Sequence, residues 1–154
     1  MNQQPARSRK KTVTTQSETP LLTLVFTGER RKRRFRVIIN GSSVMLTRKL
    51  LQALIDLILA RTQSEQGFTR LPKIIIFRLR QTLDKAVAPK TGKTLIETGG
   101  SAEYRLVIPG GRLSEQVRFT NCFAELCDSR VITSKRAEIL RQRFPIAGAG
   151  ETEM

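Results

Sequence analysis

The run LPKIIIFRLRQTLDKAV, residues 71–87, decides how this chain reads. Pro72 suits the first position of a helix, where a backbone N–H has no intrahelical partner anyway. Pro89 stops the helix, so the spacing predicts one from Pro72 to about Val87. On a helical wheel Ile75, Ile76, Leu79, Leu83, Ala86 and Val87 make one apolar stripe. Lys73, Phe77 and Gln81 project from the other side, while Arg78 and Arg80 lie on opposite flanks of the stripe. One side of this helix is suited to burial. The other carries cations and an exposed aromatic ring.

Immediately before it, Gln63 to Gly67 reads as a turn, and a longer helix runs from about Thr47 to Arg61. Leu50, Leu51, Leu54, Leu57, Ile58 and Arg61 recur near the helical period, and Thr47 is a plausible N-cap. The wide apolar face places this helix in the core. Further back, Leu21 to Phe26 reads as a strand. Phe35 to Ile39 and Ser43 to Leu46 flank Asn40-Gly41, the strongest short hairpin signal, because a type I′ turn needs positive φ at both central residues. After the deciding run, Lys90 to Lys93 reads as a basic turn. Thr94 to Thr98 and Glu103 to Ile108 read as a second hairpin joined by Gly99-Gly100. Pro109-Gly110-Gly111 marks a boundary. Beyond it a strand-like run, Gln116 to Leu126, precedes a helix from Ser134 to Phe144.

The fold class expected is α+β. The expected organisation is a basic disordered arm at 1–19, a domain at 20–108, a strand-and-helix extension at 109–146 and a disordered tail at 147–154.

Charge narrows the function. The chain has 154 residues, 28 Lys/Arg against 13 Asp/Glu, and a formal charge of +15. Such a field attracts polyanions, nucleic acid first and an anionic membrane surface second. The imbalance is concentrated: residues 1–40 hold ten cations and two acids, residues 106–154 seven and six. The longest apolar stretch, Leu50 to Ala60, is interrupted by Gln52 and Asp56 and falls short of the ~20 residues of a membrane span. The first twenty residues lack the apolar core of a signal peptide. A cytoplasmic, nucleoid-associated protein is expected. Cys122 and Cys127 read as small buried hydrophobes rather than a disulfide framework. With no histidine, a metal site finds little support and no cofactor is expected. Gly92-Lys93-Thr94 ends like a phosphate-binding loop, but Val87 stands where the motif's first glycine belongs. The chain does not read as an enzyme.

Ordered hairpin, core helix, basic helix and second hairpin follow one another as in a winged helix. Residues 35–106, about half the chain, resemble the winged helix-turn-helix output domain of response regulators of the OmpR–PhoB type. Three motifs carry the likeness. Val44-Met45-Leu46-Thr47 leading into Leu50-Leu51 and Leu54 is similar to the junction of strand and first helix. Ile76-Phe77-Arg78-Leu79-Arg80-Gln81-Thr82-Leu83 is similar to the recognition-helix signature. Ile96-Glu97-Thr98-Gly99-Gly100 followed by Tyr104-Arg105-Leu106 is similar to the wing. The resemblance implies DNA binding and transcriptional control, often as tandem dimers on repeated half-sites. Arg78 falls where the family reads a base, and Arg80 where it holds a phosphate. The sequence also departs from the family. No receiver segment implies phosphorylation control. Only Thr62 to Leu71 separates the two helices where the family has another full helix, so either that helix is missing or the Pro72 helix takes its place. The wing tip lacks an arginine and is flanked by Glu97 and Glu103.

The expected DNA-binding residues are Arg70, Lys73, Phe77, Arg78, Arg80, Gln81 and Lys85 on and before the basic helix, Lys90 and Lys93 before the wing, and Arg31, Lys32 and Arg33 in a basic loop, Arg30 to Arg34, whose five charges can clamp a backbone. Arginine's planar fork matches guanine O6 and N7, worth about 1–3 kcal/mol of discrimination. The lysines and remaining arginines need only charge and position to hold phosphate. Phe77 reads more readily as packed under the wing or at a dimer contact than as touching a base. Two other readings stay open: an RNA-binding or ribosome-associated protein, against which the single Tyr and absent Trp weigh, and a winged helix that binds a protein partner.

Overall fold

The computed structural model describes residues 22–120 and 122–144. The expected arm at 1–19 and tail at 147–154 lie outside the described residues, as does Leu21 at the start of the first expected strand.

The Asn40-Gly41 turn forms as its chemistry dictates. Both residues take positive φ, 52° and 85°, and Ile39 pairs with Ser42 across the turn. It joins β2 (Arg34–Ile39) to β3 (Ser42–Thr47). Strand alternation buries Phe35, Val37 and Ile39 on one strand and Val44 and Leu46 on the other. β1 (Leu24–Arg31) pairs antiparallel with β2 and extends well past the expected Phe26. The expected basic loop is therefore mostly strand. Only Lys32 and Arg33 turn between Arg31 and Arg34, with Lys32 at φ 60°.

Thr47 caps α1 (Arg48–Gln63), its Oγ1 accepting from the Leu50 N–H at 3.4 Å. α1 packs against β2 and β3 on one side of the fold and against β4 (Thr69–Arg70) and β6 (Glu103–Leu106) on the other. At its C-terminal end the buried Arg61 donates from Nε to the Leu106 carbonyl at 3.0 Å and from Nη1 to the Glu65 carbonyl at 2.9 Å.

α2 (Lys73–Ala86) begins directly after Pro72 and buries Ile76, Leu79 and Leu83. The next segment differs from expectation. Residues 91–95 form a short helix, α3 (Thr91–Leu95), rather than the end of a turn and the start of a strand. Lys90, at φ 72°, reverses the chain into α3, and Asp84 on α2 accepts the Gly92 N–H at 2.8 Å. A side chain at Gly92 would bring its Cβ to 2.6 Å from Arg80 Cα, so only glycine lets α3 lie this close to α2. β5 (Ile96–Thr98) and β6 form the second hairpin, and β4 pairs with β6 to complete a sheet of order β4-β6-β5.

The C-terminal part also differs. A 3-10 turn (Gly110–Arg112) and α4 (Leu113–Gln116) lead to β7 (Val117–Phe119), a strand of three residues where a longer one was expected. α5 (Phe123–Asp128) takes the rest of that run, and α6 (Ser134–Arg143) follows as expected. β7 pairs in parallel with β1, giving a first sheet of order β3-β2-β1-β7. Phe119 stacks on Phe26 at 4.4 Å between ring centroids, and Phe123 and Phe144 adjoin it at 5.3 and 5.4 Å. Leu140 and Phe144 are buried in the same core as β1 and α1. The architecture is mixed α+β with two sheets. Among the described residues no helix is long and apolar enough to cross a membrane.

Candidate nucleic-acid interface

Cations from three separate segments of the sequence meet across one groove. It holds about 760 Å³ and lies between the β1–β2 hairpin, the first turn of α1 and one side of α2. Arg30 and Arg33 come from the hairpin, Arg48 and Lys49 from α1 and Arg78 from α2. Phe35, Leu50 and Ile75 supply its apolar part, and Thr47, Gln81, Thr82 and Ser129 its neutral polar part. None of these lining residues is acidic. The ion pairs formed among the described residues use other arginines: Arg36 with Glu29 at 2.9 Å, Arg105 with Glu97 at 3.1 Å, and Arg136 with Asp56.

Local structure sets each groove cation. Arg30 is held over the Phe35 ring at 5.8 Å, with Nε donating to the Lys32 carbonyl at 3.0 Å. Its Nη1 donates to Ser129 Oγ at 3.4 Å, which ties the hairpin to the turn after α5. Arg48 and Lys49 stand in the first turn of a helix that has no acidic residue there. The helix dipole disfavours cations in that turn by roughly 0.3–1 kcal/mol each. An anion in the groove meets favourable interactions from both the lysine and arginine charges and the helix end. Arg78 and Gln81 face the groove from α2, three residues apart on one side of the helix.

The remaining expected residues are distributed unevenly. Lys73, Phe77 and Lys85 are exposed on α2, with Phe77 60% exposed. Phe77 is therefore not packed under the wing, one of the two packed positions expected from sequence; the other, at a dimer contact, is compatible with its exposure. Its neighbours in the apolar stripe meet the core, and its own position points away. Arg80 takes a different course from Arg78. Its Nη2 donates to the Ile96 carbonyl at 2.8 Å and to Thr98 Oγ1 at 3.0 Å, and its guanidinium lies 5.7 Å from the Tyr104 ring. Its Nε is buried with no hydrogen-bond partner among the described residues. Arg80 fastens α2 to the second hairpin, which leaves little of it to hold a phosphate. Arg70 is exposed on β4 opposite Glu103 in the strand register. Lys90 and Lys93 are exposed around α3 and do not line the groove. Arg31 and Lys32 are exposed at the hairpin tip, beside a second hollow that includes Arg34 and Met45.

Sequence reasoning read Arg30 only as part of the basic run Arg30 to Arg34, and it missed Arg48 and Lys49. The signal for Arg48 and Lys49 was present: two cations directly after an N-cap, where charge of the opposite sign is preferred. The second hairpin carries little free positive charge. Arg105 is paired with Glu97 and lies 4.4 Å over the Phe68 ring. Among the described residues no cluster of three or more Cys, Asp or Glu is placed to hold a metal ion. In comparisons with known proteins, no family model, no curated protein and no solved structure matches this chain.

Proposed function

We propose that this chain binds nucleic acid, duplex DNA in particular, and acts as a sequence-specific regulator. The observation that carries the reading is the groove, where five cations from three elements converge without an acid among the residues that line it. Neutralising phosphates releases condensed counterions, and that is the main source of affinity in such complexes. The groove holds the backbone. The exposed side of α2, with Lys73, Phe77, Arg78, Gln81 and Lys85, faces the bases in the major groove. No catalytic step and no cofactor is part of this reading.

The order of elements supports a winged-helix arrangement. Helix α1, short strand β4, helix α2, short helix α3 and hairpin β5–β6 follow one another as in that fold, with β4 paired to the hairpin. In this alignment α2 takes the place of the family's middle helix and five-residue α3 that of its recognition helix, so base reading by α2 rests on its own exposed side chains and not on the family's layout. The paired and acidic second hairpin gives the wing a structural part, and the first hairpin takes over the backbone contact.

Selection from random DNA duplexes by the purified protein at about 150 mM salt, a physiological ionic strength, tests the reading. The expected result is an enriched motif, as a single or repeated half-site, that is lost with Arg78→Ala. Retention without a motif contradicts base reading and leaves backbone binding. No retention contradicts the proposal as a whole.

A further inference from the structure

Ile74 and Phe77 are 53% and 60% exposed, the most exposed large hydrophobic side chains of the described residues. They stand three residues apart in α2, so their side chains are neighbours on one face of the helix. Side by side and rimmed by polar side chains, they make a small apolar patch of the kind that can serve as a contact surface.

The charge around the pair says what covers it. Lys73 precedes it, Arg78 and Gln81 follow, and all three are exposed. The only acid on α2, Asp84, already accepts the Gly92 N–H. Two copies of the chain meeting through this face would bring these cations against one another. A ligand with a polyanionic exterior and an apolar, stacked interior satisfies both the cations and the apolar pair, and nucleic acid has that construction.

We infer that Phe77, with Ile74 beside it, enters a base step of the bound duplex and unstacks it. This rests on the nucleic-acid reading above and adds a defined role for one side chain within it. Apolar wedges inserted from the minor groove partly separate neighbouring base pairs and kink the duplex, and Phe77 makes the same insertion from the major-groove side. The flexible pyrimidine–purine steps are the easiest to open. The groove cations hold the flanking backbone while the wedge acts, so affinity and unstacking are carried by different residues.

The experiment uses a set of 20-base-pair duplexes, each with 2-aminopurine in place of adenine at one TA step, and a dye at one end. The anisotropy of the dye reports binding, and 2-aminopurine fluorescence, quenched in a stack, reports unstacking. With the wild-type chain, fluorescence is expected to rise in step with binding at one or two of the labelled positions. Phe77→Ala is expected to lose about 5- to 100-fold in affinity, the order of one stacking contact, and at saturating protein to bind without the rise. Phe77→Leu restores part of the rise, and Ile74→Ala reduces it. Binding by the wild type without any rise overturns the inference and leaves the nucleic-acid reading intact. A rise that survives Phe77→Ala overturns it too. Sedimentation that shows a wild-type dimer lost on Phe77→Ala assigns the pair to self-association instead. No binding in any arm overturns both readings.

Discussion

Arg78 and Arg80 stand two residues apart on one helix and have opposite fates. Arg78 opens into the groove, and Arg80 is bound to the Ile96 carbonyl and Thr98 Oγ1. Their substitutions are expected to separate cleanly. Arg80→Ala leaves a backbone carbonyl and a hydroxyl without their donor and lowers stability by about 1–3 kcal/mol, measured by urea unfolding. Arg78→Ala, on an exposed site, changes stability by less than about 0.5 kcal/mol and acts on binding alone. Arg61 is a stronger case of the first kind, since its guanidinium holds three backbone carbonyls at the end of α1. Arg61→Ala is expected to cost roughly 2–4 kcal/mol, and Arg61→Lys does not restore the planar fork. The cysteines differ in the same way. Burial, reinforced by the nearby Glu125 charge, pushes the Cys122 thiol up to about 12, so its thiolate is scarce at pH 8. A thiol reagent at pH 8 is expected to modify Cys127 in the folded protein and both cysteines in denaturant.

At the scale of elements, what was legible is what local chemistry decides. Asn40-Gly41 specified its hairpin, Thr47 its helix start, and Pro72 and Pro89 the limits of α2. Each of these signals acts within a few residues. α3 was not legible because it depends on a contact. Thr91 to Leu95 is too short to hold itself as a helix. It forms because Gly92 lies against Arg80 and Asp84 reaches its N–H. Gly92→Ala forces the two helices apart and is expected to cost about 1–3 kcal/mol in thermal or urea unfolding. The groove was illegible for a related reason. Its cations come from positions 30, 33, 48, 49 and 78, and only the packing of α2 against β3 and α1 unites them. The sequence pattern named Arg30 and Arg33 in one basic run and Arg78 apart from them. It could not show that they share a site.

Across the whole molecule, residues 113–144 join the core rather than hang from it. Phe119 stacks on Phe26 of β1, and β1 carries the hairpin that forms one wall of the groove. Phe119→Ala is therefore expected to cost about 3–5 kcal/mol and to loosen the binding surface along with the core. Exposed cations without an ion pair also lie elsewhere, Lys73, Lys85, Lys90 and Lys93 among them, but the groove is where cations from the hairpin, α1 and α2 converge. The most direct measurement of the central claim is the salt dependence of binding to a dye-labelled 20-base-pair duplex, followed by anisotropy. With Arg30, Arg33, Arg48 and Lys49 neutralising phosphates while Arg78 reads a base, log affinity is expected to fall against log salt with a slope of about −3 to −4. Arg33→Ala and Arg48→Ala combined should make that slope shallower by about 2. A flat dependence for the wild-type chain, or a slope unchanged by the two substitutions, contradicts the assignment of the groove as the nucleic-acid interface.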